Sequence, residues 1–270
     1  MKAIYAFEDA NSKNRALLGG KGAGLSEMTK LKLPVPPGFT ITTEVCNEYY
    51  ENKNQLPKNL MSQVIKNISK IEKKTGKKWN SSNNPLLISV RSGAAISMPG
   101  MMDTILNLGL NDQTVLGLAK MTGNPRFAWD SYRRFIQLFG KVVFGVNDEK
   151  FDSVLKASKK KQGVTDDSKL NVDSLKKIVE KYKKICEEIC PKQKFPTNPN
   201  EQIQLAIDAV FRSWMGERAV VYREKNNITK DIANGTAVNC QTMVFGNMGN
   251  DSATGVVFTR NGHNLSLIHI

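Results

Sequence analysis

The feature of this sequence that most limits its fold is the separation of strand-like from helix-like segments along the chain. Short apolar segments near residues 1–7, 39–42, 86–91, 104–108 and 235–245 have the length and residue types of buried strands. Between residues 112 and 190 the apolar residues recur instead at helical spacing. Strands towards both ends of a helical middle are typical of an α+β architecture.

The pattern also predicts several element boundaries. Asn198 is a good N-cap, and one long helix is expected from there to about residue 225. A strand is expected over 254–260, and a helix over 23–31 after the glycine-rich turn. Two helices broken near Pro57 are expected over 43–75. The Lys-, Asp- and Ser-rich segment 157–170 is predicted to be a mobile loop.

A net charge of +14 brings nucleic-acid binding into consideration. Most of the excess is lysine in two segments, 51–80 and 150–194, each of helical periodicity. In the second segment one apolar stripe recurs at three- and four-residue steps and is expected to pack inward, leaving the lysines in water: Leu175, Ile178, Tyr182, Ile185 and Ile189. A solvated lysine face is therefore favoured, and a nucleic-acid surface is the less favoured alternative.

The histidines and cysteines exclude some chemistry. Both histidines, His263 and His269, lie in the last eight residues, so the body of the chain has no imidazole for a catalytic triad or a zinc site. Cys186 and Cys190 are helical neighbours, but no second ligand pair lies near them, so a metal is not expected there. Four cysteines in 270 residues suggest reduced thiols and a cytoplasmic protein, and no apolar run is long enough to span a membrane.

A glycine-rich segment is the first candidate for function. Four of the six residues 19–24 are glycines, so backbone amides can approach a ligand closely, and Lys21 adds a positive charge. A helix starting there would favour an anion at its N-terminus. The segment fits neither the P-loop nor the dinucleotide-binding fingerprint.

The second candidate is Arg91, which ends a buried strand and precedes a long loop of small residues. A guanidinium there suits a phosphate, although an ion pair with Asp103 that holds the loop is the alternative. Arg133 and Arg134 would point about 100° apart on a helix, so at most one would reach a given ligand. Residues 239–245 read as a core strand ending in glycines.

Several motifs together resemble one enzyme family closely, over residues 6–261. They are GGKGAGLSEMT, PVPPGFTITTE, SVRSGAAISMPGMMDTILNLGLN, FAWDSYRRFIQLFG and AVNCQTMVFGNMGNDSATGVVFTRN. These are similar to the N-terminal region of the pyruvate, phosphate dikinase family. The phosphoenolpyruvate synthases, the alternative family, share the Lys and Arg positions but have a more acidic loop after the Arg.

The resemblance implies an α+β fold of the ATP-grasp type, incomplete here, with a largely helical insertion. Residues 1–261 would be the nucleotide-binding region and about 112–197 its helical subdomain. The implied enzyme is a phosphotransferase with paired acceptors, which interconverts ATP, phosphate and pyruvate with AMP, pyrophosphate and phosphoenolpyruvate. Its β-phosphoryl group would pass to a histidine on a swivelling domain, and a barrel domain would bind pyruvate.

The resemblance also implies roles for particular residues. Lys21 and Arg91 would grip the ATP phosphates, and Arg134 would assist them. The nucleotide-binding residues would be Gly20, Gly22, Gly24, Asp103, Thr104, Gln241, Met243 and Val244, the last three flanking the adenine. The Mg²⁺ ligands would lie downstream of this chain, so no metal ligand is expected within it. The full-length enzyme would be a homodimer, with no membrane and no nucleic acid as partner.

The resemblance stops at Asn261. The last six residues, LSLIHI, resemble a translated sequencing adapter, so residues 262–270 are expected to be a non-native tail. The chain is accordingly expected to be a fragment that is inactive by itself. A basic nucleic-acid-binding module and an ATP-grasp-like domain without activity remain as alternatives from other classes.

Overall fold

Five short strands form one antiparallel sheet. A computed structural model describes residues 2–191, 193–258 and 260. The strands are β1 (Ile4–Ala6), β2 (Gly38–Ile41), β3 (Ile88–Gly93), β4 (Thr104–Leu108) and β5 (Ala237–Thr242). Their order across the sheet is β1-β2-β5-β3-β4, and every neighbouring pair is antiparallel. The strand that is last in the sequence therefore lies in the middle of the sheet.

Helices surround this sheet and fill the middle of the chain. They are α1 (Arg15–Lys30), α2 (Thr43–Glu51), α3 (Leu60–Thr75), α4 (Thr114–Thr122), α5 (Pro125–Phe144), α6 (Asp148–Gln162), α7 (Val172–Ile189), α8 (Pro199–Ser213) and α9 (Glu217–Lys225). The predicted α+β class is confirmed, and so is the break between α2 and α3 near Pro57. None of the helices in the described ranges is both long and apolar enough to cross a bilayer.

The two faces of the sheet differ because side chains alternate along each strand. On one face Phe39, Val90 and Cys240 lie in register and belong to the main hydrophobic core, together with residues of α2, α3 and α8. On the other face the buried residues Thr40 and Asn239 lie opposite each other. Helix α1 packs on this polar face, and the sheet thereby fixes the position of the glycine-rich segment.

The helical middle packs as the periodicity predicted. In α7 the side chains of Leu175, Ile178 and Tyr182 are fully buried, and the hydroxyl of Tyr182 donates to the carbonyl of Phe151, 3.0 Å away. Ile189, at the end of the stripe, is an exception with a partly exposed side chain. The prediction that this stripe faces the core is confirmed for its first turns.

A buried ion pair ties α5 to the segment before α7. Nη2 of Arg133 lies 2.7 Å from Oδ1 of Asp130 and 3.8 Å from Oδ2 of Asp167, and the side chain of Arg133 is only 3% exposed. Asp167 begins a short 3-10 turn, residues 167–169, and also pairs with Lys159 of α6 at 2.9 Å. One carboxylate therefore joins three parts of the helical region.

Several predicted boundaries are wrong. The expected single helix over 198–225 is interrupted at 214–216, because Gly216 takes an extended conformation and caps α9. Residues 157–162 belong to α6 rather than to a loop. The helix expected over 23–31 begins earlier, at Arg15, with an interruption at Gly19.

The strand expected over 254–260 is also absent from the described residues of that range. Residues 254–258 take no strand conformation, and the side chains of Val256, Val257 and Phe258 are exposed. A short apolar run needs a neighbouring strand before it forms a ladder of hydrogen bonds. The predicted non-native tail, 262–270, lies outside the described residues.

Candidate phosphate-binding site

The site starts at the interruption in α1. Gly19 has a φ of 66°, a left-handed conformation that glycine adopts without strain. A Cβ at this position would lie 1.7 Å from the carbonyl oxygen of Gly93, so no other residue fits. The helical geometry resumes at Gly20, whose N–H donates to the carbonyl of Ala94 at 2.8 Å. The N-terminus of the resumed helix is thereby held against the end of β3.

Lys21 follows at once in this helix. Its Nζ donates to the backbone carbonyl of Ser92, 2.9 Å away. Burial and the nearby positive charge of Arg91 hold the pKa of Lys21 below its usual value. The two predicted phosphate-binding cations are therefore close enough to influence each other, although 70 positions separate them in sequence.

Arg91 is held by a neutral partner. Its Nη2 donates to Oε1 of Gln241, and Nε2 of Gln241 in turn donates to the carbonyl of Pro36 at 3.1 Å. Burial lowers the pKa of Arg91, but an arginine remains cationic at every physiological pH. Its Nε is buried and has no hydrogen-bond partner among the described residues. The ion pair with Asp103 that the sequence allowed is not formed.

A cavity of about 600 Å³ opens beside Lys21. It is lined by Gly20, Lys21, Ser92, Gly93, Ala94, Ile96, Ser97, Met98, Pro99, Gly100, Met102 and Thr104. The loop 94–103 supplies most of the wall, and none of the lining residues carries a carboxylate. A cavity with one lysine, many small residues and no acidic group suits an anion.

Asp103 and Thr104 differ in their surroundings. Thr104 lies opposite Arg91 in the sheet and lines the cavity. The carboxylate of Asp103 instead lies 3.9 Å from Nη2 of Arg218 in α9, and burial raises its pKa. Arg218 also donates to the carbonyl of Gly100 at 3.4 Å. Helix α9 thus contacts the loop that walls the cavity.

The three predicted glycine ligands also lie in different environments. Gly20 lines the cavity. Gly22 packs against the sheet, since a Cβ there would lie 2.8 Å from Oγ1 of Thr40 and 2.9 Å from Oδ1 of Asn239. Gly24 has open space around it. The structure therefore brings only the first of them next to Lys21 in the cavity lining.

The segment predicted to flank adenine lies at the end of β5. Gln241 and Thr242 pair with β3 in the sheet, and the N–H of Met243 donates to the carbonyl of Leu87 at 2.9 Å. The carbonyl of Met243 and the backbone of Val244 lie beyond the last ladder pair, and Val244 is 69% exposed. Backbone contacts to a flat ring are therefore open only from Met243 onwards.

Arg134 is not among the cavity-lining residues. Its side chain is 61% exposed, and its Nε donates to Oδ2 of Asp130 at 3.0 Å. Arg133 lies on the buried side of α5, yet both arginines contact the same carboxylate, that of Asp130. Only the Nε of Arg134 is bound to Asp130, so its Nη groups could contact a phosphate only if the side chain extends towards the cavity.

Sequence reasoning missed the polar stripe beneath α1. Thr40 donates to Oδ1 of Asn239 at 2.8 Å, and both side chains are fully buried, while Nδ2 of Asn239 has no partner in the described part of the chain. The signal was present as polar residues at alternate positions of β5, 239 and 241, within an otherwise buried strand.

A second cleft, of about 680 Å³, lies between α2 and α3 and shares no lining residue with the first. It contains both acidic and basic side chains, among them Glu48, Glu51, Lys53 and Lys58, which fits an anion less well. Within the described ranges, no group of three or more His, Cys, Asp or Glu residues is placed to hold a metal ion.

Comparison with known proteins supplies independent information. A family model described as "Pyruvate phosphate dikinase, AMP/ATP-binding domain" matches residues 15–60 and 52–270. A pyruvate, phosphate dikinase of Entamoeba histolytica is 57% identical over 260 residues, covering 96% of this chain and 29% of the relative. One from Clostridium symbiosum is 53% identical, covering 96% of this chain and 30% of the relative.

A relative named as chloroplastic, from Mesembryanthemum crystallinum, is 51% identical over 265 residues, covering 97% of this chain and 28% of the relative. The chain thus spans about three tenths of the length of the curated relatives that it matches.

Proposed function

The chain belongs to the family of pyruvate phosphate dikinase AMP/ATP-binding domains, and on that premise we propose that the cavity beside Lys21 receives the phosphates of ATP. The observation that carries the proposal is the pair of neighbouring cations, Lys21 and Arg91. Neither has a carboxylate partner among the described residues. Two partly buried like charges close to each other and without a counter-ion are unfavourable, and a bound anion would relieve this.

The residues would divide the work of holding the phosphates. Lys21 would give a mobile positive charge, and Arg91 a planar guanidinium on a rigid strand. The amides at the resumed N-terminus of α1, beginning at Gly20, would add backbone donors. Thr104, which lines the same cavity, would add a hydroxyl. Phosphoryl transfer depends mainly on such positioned positive charge around the phosphate oxygens.

The adenine would lie beyond the end of β5, against Met243 and Val244. The support for this is that the carbonyl of Met243 and the backbone of Val244 lie beyond the last ladder pair, while Gln241 and Thr242 are paired in the sheet. Gly22, Gly24 and Asp103 would then act on the nucleotide only through the packing of α1 and of the loop 94–103. Arg134 would assist with its Nη groups, because only its Nε is bound to Asp130.

The reaction that we propose for the whole protein is that of the dikinases. ATP, phosphate and pyruvate would be interconverted with AMP, pyrophosphate and phosphoenolpyruvate through a phosphohistidine on another domain. Residues 1–261 would be the nucleotide-binding region, with 112–197 as its helical part, in a cytoplasmic and dimeric enzyme. A requirement for inorganic phosphate separates this reaction from that of a phosphoenolpyruvate synthase.

Mg²⁺ belongs to the proposed reaction, but the described residues do not offer a ligand set for it. Asp103, which adjoins the cavity wall, is turned to Arg218 instead. We therefore assign no step of the mechanism to a metal held by these residues.

The proposal is tested by ATP binding to matched variants, measured by isothermal titration calorimetry. Lys21→Met is expected to weaken binding by at least about tenfold, since a charge-assisted hydrogen bond is lost. Lys77→Met is its control, because Lys77 is another half-buried lysine whose pKa burial lowers, and it lies outside the cavity. Arg91→Met is paired in the same way with Arg126→Met, which removes a cation bound to backbone carbonyls.

Equal losses in Lys21→Met and Lys77→Met would contradict the proposed site, and absence of ATP binding by the unmodified protein would contradict the function. Retention of DNA or RNA that is sensitive to salt and indifferent to Lys21 and Arg91 would favour the nucleic-acid-binding alternative.

A further inference from the structure

Gln241 connects two parts of the site that no local sequence pattern relates. Its side chain lies on β5 and is almost fully buried. The amide oxygen accepts from Nη2 of Arg91, and the amide nitrogen donates to the carbonyl of Pro36 at 3.1 Å. The glutamine thus fastens the guanidinium to the turn that precedes β2.

The backbone that carries Gln241 is held firmly because β5 is the central strand of the sheet. Gln241 is paired with Gly38 of β2 on one side and with Ser89 of β3 on the other. Arg91 lies two residues after Ser89 on β3, diagonally across from Gln241. Side chains at such diagonal positions share a face of the sheet. Neither residue can shift without disturbing two ladders of backbone hydrogen bonds.

The Gln241 amide that holds Arg91 is neutral, so it leaves the positive charge of the guanidinium unchanged. A carboxylate in place of the amide would also accept from Arg91, but it would cancel the positive charge that a phosphate needs. The nearby Lys21 of α1, whose pKa is lowered by burial and by the charge of Arg91, is positive as well. No hydrogen bond is formed by the Nη1 group of Arg91 within the described ranges. Arg91 itself is not among the residues that line the cavity, but its neighbour Ser92 and its cross-strand partner Thr104 are.

We infer that Gln241 is a positioning residue: it fixes the orientation of the Arg91 guanidinium while leaving its charge uncompensated. This inference rests on the proposed function, since it presumes that Arg91 binds phosphate. It assigns to the Gln241 side chain a role on the phosphate side of the nucleotide, distinct from a role at the adenine.

A purely structural glutamine is present in the same protein for comparison. Gln202 is fully buried, and its three hydrogen bonds all go to backbone groups, those of Gly109, Leu110 and Pro196. Gln241 differs because its amide oxygen is committed to a side chain of the site. Gln202→Met is therefore the matched control for Gln241→Met.

The first measurement needs no nucleotide. In the ¹⁵N NMR spectrum of the free protein, a braced guanidinium rotates slowly and gives separate Nη signals, which Arg91→Lys identifies by their loss. Gln241→Met is expected to merge these signals by releasing the rotation, and Gln202→Met is expected to keep them. Unchanged Arg91 signals in Gln241→Met would overturn the inference.

The second measurement compares ATP with adenosine. Gln241→Met is expected to weaken ATP about threefold to tenfold, because one ordering hydrogen bond is lost, and to leave adenosine unchanged. Gln241→Glu is expected to weaken ATP more and to reduce the salt dependence of binding, since Arg91 is neutralised. Gln202→Met is expected to lower the thermal midpoint without changing the ratio of the two affinities.

Failure of the proposed function and failure of the positioning role would give different results. If the unmodified protein binds no ATP, the proposed function itself is wrong. If it binds ATP and Lys21→Met weakens it, but both Gln241 variants bind ATP as the unmodified protein does, only the positioning role is wrong. Equal loss of ATP and adenosine in Gln241→Met would show a general structural role and would also overturn it.

Discussion

Lys21 illustrates how a single residue can be placed for binding at some expense to folding. Burial and the field of Arg91 both oppose its positive charge, so its pKa lies below the usual value of 10.5. The folded protein therefore binds fewer protons than the unfolded chain in the pH range between these two values. By linkage, this residue makes the free energy of unfolding rise with pH across that range.

The first prediction follows from the downward shift of the Lys21 pKa. ATP binds the protonated lysine, so ATP affinity is expected to fall as the pH rises through the lowered pKa, over the same range in which the destabilisation caused by Lys21 is relieved. Both trends are expected to be smaller in Lys21→Met. Urea unfolding and ATP titrations between about pH 7 and pH 10 would measure them. Identical pH slopes in the variant and the unmodified protein would contradict the placement of Lys21.

At the scale of elements, the packing of α1 on the polar face of the sheet depends on Gly22. The space that a Cβ would need is occupied by Thr40 and Asn239, both fully buried. Gly24 lies about half a turn later in the same helix, and a Cβ added there would have no other atom within 4 Å. The two glycines thus have opposite structural roles in one helix.

The second prediction uses this contrast. Gly22→Ala is expected to destabilise the protein by about 1–3 kcal/mol, because α1 must move off the sheet. Gly24→Ala is expected to stabilise it by about 0.5–1 kcal/mol, since alanine reduces the backbone freedom of the unfolded chain. Denaturant unfolding would give both values, and ATP affinity is expected to fall only in Gly22→Ala. Equal effects of the two substitutions would contradict the described packing.

Element types were more predictable than element ends or contacts. The strand at 104–108 and the break between α2 and α3 followed from local patterns, because apolar runs and Pro57 act over a few residues. The strand expected at 254–260 failed because a strand depends on a partner that the local pattern does not contain.

The same limit applies to the site. The glycines, Lys21 and Arg91 drew attention by residue type, whereas the hydrogen bond from Arg91 to Gln241 joins positions 150 residues apart. No periodicity encodes that contact.

At the scale of the molecule, the helical region is fastened by charge as well as by apolar packing. Asp130 accepts from Arg133 inside the protein and from Arg134 at its surface. Nη2 of Arg133 also lies 3.8 Å from Oδ2 of Asp167. A buried charge that loses its partner is strongly unfavourable, because nothing replaces its hydration.

The third prediction concerns this network. Asp130→Asn is expected to lower the free energy of unfolding by about 3–5 kcal/mol, since Asp167 at 3.8 Å compensates Arg133 only in part. The control is Asp173→Asn, which removes an exposed carboxylate 3.9 Å from Lys176 and is expected to cost less than about 1 kcal/mol. Urea unfolding of both variants would provide the comparison. Comparable stability of the two would show that the buried pair does not hold the helical region.

The central place of β5 has a consequence for the order of synthesis. The β1–β2 and β3–β4 pairs leave the ribosome long before β5, the strand that joins them. Phe39 of β2 and Val90 of β3 both pair with Cys240 of β5, so neither pairing can form until β5 has been made. At ordinary translation speeds of about 5–20 residues per second, the interval between Gly93 and Ala237 lasts about seven to thirty seconds. Throughout that time one edge of β2 and one edge of β3 lack a partner, so the nascent chain is open to intermolecular strand pairing until β5 has been made.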